Sequence, residues 1–104
     1  MSVRAKILNL LSGITDPTIR VDVASTIYYL MDIYASGSAK EGEIKQSLFE
    51  ICFDVIRATR PDLIEEEARQ EAQKMADELM SAFRMETLRR RVSVGFRARG
   101  LPRI

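Results

Sequence analysis

Apolar residues recur at three- and four-residue intervals along most of the chain, and clear stop signals separate the runs. The first run predicts a helix over about residues 3–12, with Ile7, Leu8 and Leu11 on one face and Gly13 in the place of a glycine beyond a helix C-terminus. Asp16–Pro17 then reads as an N-cap followed by proline at the first helical position. The helix that follows, over 17–35, carries Ile19, Val23, Ile27, Leu30 and Tyr34 in one stripe, widened by Ala24, Tyr28 and Met31. An apolar arc that broad exceeds what a surface helix needs, which places this helix at the centre of the core or in a subunit interface.

Ser36-Gly37-Ser38 ends the second helix, and Ser38 with Glu41 three residues on has the form of a capping box for a helix over 39–58. Its buried side is Ile44, Leu48, Ile51, Cys52, Val55 and Ile56. Pro61 stops it and Asp62 is placed to cap a fourth helix over 63–91. The stripe of that helix is Ile64, Ala68, Ala72, Met75, Ala76, Leu79, Met80, Phe83 and Leu88. A helix near 30 residues spans about 43 Å, against a radius of gyration of about 13 Å for a chain of this length. Its far end must therefore project or meet a second subunit. With the broad second helix, this predicts a homodimer.

The pattern changes at Val92. Val92, Val94, Phe96 and Ala98 alternate with Ser93, Gly95, Arg97 and Arg99, a period of two that predicts an extended segment ending at Gly100 and Pro102. The expected architecture is thus all-α: a four-helix bundle-like domain over 1–91 with a long C-terminal helix, then a short basic extended tail over 92–104. The 104 residues make one domain, with no internal repeat.

Composition removes many chemistries. There is no histidine, so a Ser-His-Asp triad, a Cys-His pair and a Glu-x-x-His di-iron site are excluded. One cysteine, Cys52, allows neither an intrachain disulfide nor a standard zinc ligand set, and fits the reducing cytoplasm as a buried apolar thiol. The glycine spacing matches no phosphate loop or dinucleotide fingerprint. No cofactor and no catalytic residue is expected. No apolar run approaches the roughly 20 residues of a membrane span, and Asn9, Ser12 and Asp16 interrupt what would otherwise mimic a signal peptide after Arg4 and Lys6. Few Asn, Gln and Cys residues beside many ionic ones is a thermophile's composition.

Carboxylates supply one enzymatic alternative. Glu65, Glu66, Glu67, Glu71, Asp77 and Glu78 on the fourth helix, with Glu50 and Asp54 on the third, are the kind of acids that hold Mg²⁺ against a phosphate in all-α nucleotide phosphohydrolases. The same acids equally make a solvated helix face. A helix-turn-helix is disfavoured, because the third helix runs on unbroken to Ala58 and carries Glu41, Glu43, Glu50 and Asp54.

Charge changes the picture most. The chain has 16 Lys+Arg and 15 Asp+Glu, yet residues 89–104 hold six arginines and no acid, leaving 10 basic against 15 acidic residues before them. Arg89, Arg90 and Arg91 have a local explanation as cations closing a helix. Arg97, Arg99 and Arg103, beside Phe96, have none, and make an arm suited to nucleic acid, DNA or RNA, or to a nucleoprotein assembly. The alternative is a structural or adaptor subunit whose tail docks on an acidic protein surface or its dimer mate.

Overall fold

The computed structural model describes residues 2–100, and the side chains of residues 2–92. It is all-α. Helix α1 spans Val3–Leu10 and passes into a 3-10 turn at Leu11–Gly13; α2 spans Pro17–Ala35, α3 Glu41–Thr59 and α4 Glu65–Gly100. No helix among the described residues is long and apolar enough to cross a membrane.

Local chemistry sets most boundaries. The Ser2 hydroxyl accepts from the Ala5 N–H at 3.1 Å, and the Asp16 carboxylate accepts from the Thr18 N–H at 2.9 Å with Pro17 following it. At the end of α2, Gly37 takes φ 78°, where a side chain would strain the backbone. That turn lets the Ser38 N–H reach the Ile33 carbonyl and the Gly37 N–H the Tyr34 carbonyl. Gly13 has a different role from the one expected. Its backbone is not left-handed, and a Cβ there would stand 3.1 Å from Thr59 Cβ, so glycine lets the turn lie against the end of α3.

Two caps also differ from expectation. The α3 capping bond runs from the Lys40 N–H to the Glu43 carboxylate at 2.9 Å, while the Ser38 hydroxyl pairs with Ser36. Glu41, already inside α3, turns instead toward Arg84. Asp62 is held by the Arg60 guanidinium through two 3.2 Å bonds, and the Ile64 N–H is satisfied by Glu67 at 3.2 Å.

The core is built on α3 against α4. Ala68, Ala72 and Ala76 are fully buried and let the two helices approach closely; Leu79, Met80 and Phe83 fill the wider space beyond. Opposite them stand Ile44, Leu48, Cys52, Val55 and Ile56. Ion pairs Glu41–Arg84, Lys45–Asp77 and Arg57–Glu65 fix the two helices antiparallel. Helix α1 lies along α4 through Val3, Ile7 and Leu10, with Lys6 paired to Glu78.

Helix α2 is not central. It buries only Ile27, Leu30 and Met31, while Val21 is 62% and Tyr29 63% exposed. Its apolar arc is broad because the outward face also carries apolar residues. The sequence stripe of α4 also fails at its two ends. Ile64 is 65% exposed, and beyond Thr87 no side chain of α4 is buried among those described, because α4 outruns the helices that pack on it. The extended segment expected from Val92 is helical as far as Gly100. An isolated extended segment has no strand to pair with, whereas a continuing helix satisfies its own backbone. The remaining residues, 101–104, lie outside the described residues.

Candidate functional site

The basic end of the chain is a continuation of a helix anchored in the core. Phe83 is buried and Thr87 is the last buried residue of α4 among those described. From residue 88 to Gly100 the helix extends about 20 Å at 1.5 Å per residue. A tie at its base fixes the direction of that extension. Arg84 clamps Glu41 with two bonds, of 3.1 and 2.7 Å, and the Tyr34 hydroxyl donates to the same carboxylate at 3.1 Å. The end of α2, the start of α3 and α4 are joined at that point.

The electrostatics agree with this geometry. The hydrogen bond from Arg84, then that from Tyr34, holds the Glu41 carboxyl below its ordinary range. The Tyr34 hydroxyl is pushed up, first by burial and next by its bond to Glu41, while Arg84 and Arg91 pull it back.

Three of the six predicted arginines, Arg89, Arg90 and Arg91, have described side chains. Arg90 reaches Asp32 on α2 at 3.3 Å and Glu86 at 3.3 Å, so it braces the helix against the body. Arg89 bonds Glu86 at 3.4 Å and its side chain stays 71% exposed. Arg91 is exposed and makes no ion pair with any described residue. Positions 96, 97 and 99 follow in the helical register; the side chains of Phe96, Arg97 and Arg99 lie outside the described residues, as does Arg103 altogether.

The continuation to Gly100 reverses the local explanation of these cations. Helix-end stabilisation fades within the last turn. Arg89, Arg90 and Arg91 are more than two turns from Gly100, so it does not account for them. Arg90 reaches Asp32 on the body, Arg89 has only Glu86 one turn back and stays 71% exposed, and Arg91 has no ion-pair partner among the described residues.

The extension also carries an apolar face that charge alone did not suggest. Met85, Leu88 and Val92 are 59%, 55% and 61% exposed, and their spacing of three and four residues aligns them along α4. The signal was present in the sequence as Leu88, assigned instead to the core. At about 100° per residue, Arg89 and Arg91 fall on opposite flanks of this stripe, with Arg90 behind it.

Several of the candidate carboxylates are otherwise engaged. Glu65 meets Arg57 and Arg69, Asp77 meets Lys45 and Gln73, Glu78 meets Lys6, and Glu50 accepts from Gln46. Among the described residues no group of three or more His, Cys, Asp and Glu is gathered as a metal ion would require. Burial pushes the Cys52 thiol up to about 12, the state of an inert core group. A cleft of about 330 Å³ between the start of α2 and the end of α3 is lined by Ile14, Ile19, Val23 and Val55, with Asp16 and Asp54 among its acids. On the surface of α3, Phe49 stacks on Phe53, and Arg57 and Arg69 stand 5.5 and 5.2 Å from the Phe53 ring centre. This arginine-aromatic cluster was not anticipated. Its signal was the four-residue spacing of Phe49, Phe53 and Arg57. Comparison with protein-family models, with curated proteins and with solved structures gives no match for this chain.

Proposed function

We propose that the chain is a small, bundle-like, non-enzymatic protein that contacts nucleic acid, alone or in a nucleoprotein assembly, through the C-terminal end of α4. The observation that carries this reading is Arg91, exposed and without an ion-pair partner among the described residues, beside the largely exposed Arg89 on a helix that has left the core. The helix dipole does not account for the two cations, Glu86 engages Arg89 only at 3.4 Å and leaves its side chain 71% exposed, and a row of phosphates is the common polyanion that would take both. A chain ending at Leu88 keeps every buried residue of α4 among those described and loses the arginines beyond it. It should retain the unfolding midpoint of the full chain and lose most of its binding to generic duplex or single strands at about 50 mM salt, where phosphate contacts are strongest. If the full chain binds neither under those conditions, the reading fails.

A second reading rests on the exposed face of Met85, Leu88 and Val92, which phosphates do not require. In it the basic end docks an acidic protein surface, either a partner or the acidic pole of a dimer mate. The truncated chain would then change oligomeric state by light scattering while nucleic-acid binding stays absent from both forms.

A further inference from the structure

The helical form of the basic end narrows the nucleic acid, on the condition that the nucleic-acid reading holds. Within residues 85–92 the outer side of α4 has three parts: an apolar centre of Met85, Leu88 and Val92, Arg89 on one flank and Arg91 on the other. Arg90, at the back, is tied to Asp32 and holds the helix on the body. We propose that this helix end lies in the major groove of a B-form DNA duplex, with Arg89 and Arg91 on the phosphates of the two opposing walls.

Dimensions support this occupant. A helix with side chains is about 10–12 Å across, and the B-form major groove is about 12 Å wide and 8.5 Å deep. The length beyond Thr87, about 20 Å, crosses it completely. The deep, narrow major groove of an A-form RNA duplex does not admit a helix, and a single strand offers one line of phosphates, which cannot meet both flanks at once. A second copy facing the same stripe would bring Arg89 and Arg91 of both chains together, with Glu86 of each copy already engaged by Arg89 and Arg90, and like charges at an interface oppose it. The apolar centre would meet base edges and thymine methyls, which gives contact with little sequence discrimination.

The experiment titrates the full chain, by fluorescence anisotropy, onto a short DNA duplex, its single strand, the matching RNA duplex and phosphatidylserine vesicles. The DNA duplex should bind at least about tenfold tighter than either other nucleic acid, a difference an anisotropy titration resolves. Methyl green, which occupies the major groove, should compete, and netropsin, which occupies the minor groove, should not. Ser93→Pro keeps every charge and interrupts the helix beyond Thr87, the last buried residue among those described. It should leave the unfolding midpoint unchanged and lose most duplex binding while retaining single-strand binding. The double variant Arg89→Gln/Arg91→Gln should lose duplex binding and flatten its salt slope, by about 2 if both meet phosphates. Equal affinity for duplex and single strand, or an unaffected Ser93→Pro, overturns the groove and leaves the nucleic-acid reading standing. Binding to vesicles alone, or to nothing, overturns both.

Discussion

Thr87 is the residue where the fold is least satisfied. It is 7% exposed, and its hydroxyl oxygen is buried with no hydrogen-bond partner. A buried hydroxyl that has left water without a new partner is a net cost, and valine has nearly the same shape without it. Thr87→Val should therefore stabilise the protein by about 1 kcal/mol, read from a denaturant midpoint with an unchanged slope. A fall in midpoint would mean the hydroxyl is bonded in solution. Arg20 is the opposite case, a charged residue whose place is settled. Its guanidinium donates to the Leu11 and Ile14 carbonyls at 2.6 and 2.8 Å, so it closes the turn that joins α1 to α2. Neither role could be read from the sequence, because each depends on which backbone or helix arrives nearby. Cys52 could be read, since its neighbours in the chain are also its neighbours in the core.

Among the elements, legibility followed how local the cause was. The Asp16–Pro17 start of α2 and the Gly37 stop are decided by bonds within a few residues, and both stand where the sequence puts them. The buried stripes of α3 and the middle of α4 are also as expected, because regular spacing picks one face. Of the two places that the broad arc of α2 allowed, α2 does not take the centre of the core, since such an arc does not say how many partners a helix has within one chain; its exposed apolar face is what the other place, a subunit interface, would use. The end of α4 was misread because Val92, Val94 and Phe96 alternate as a strand does, yet no second strand exists among the described residues. Closeness of α3 to α4 rests on alanine. Replacing Ala76, fully buried, by leucine adds three carbons where the interface has no room. Ala76→Leu should cost about 1–3 kcal/mol in a denaturant titration. A neutral result would show that the two helices can move apart at no cost.

The whole molecule is elongated and electrically graded. Its radius of gyration is 16.1 Å and its extents are 61 × 28 × 21 Å, against about 13 Å expected for a compact chain of 100 residues. Bridges along the α3–α4 seam hold this shape together, and their carboxylates, Glu41, Glu65 and Asp77, all sit below their ordinary range. The largest causes are the bonds from Arg84, Arg69 and Lys45 respectively. An unfolded glutamate takes up a proton near 4.5, while folded Glu41 keeps its charge to lower pH. Below that point the unfolded chain binds more protons than the folded one, so acid removes the stabilisation that neutral pH leaves intact. These pairs are exposed, which keeps each contribution small and sensitive to salt. Stability should hold from neutral pH to about 4.5, then fall as the pH drops through the lowered values of the folded carboxyls, and fall less in high salt. Glu41→Gln separates the junction from the rest of the seam. It removes one titrating group and weakens the clamp on Arg84, so it should lower the midpoint at neutral pH and converge with the unaltered chain in acid. Parallel acid profiles for the two proteins would show that Glu41 does not titrate as part of this junction.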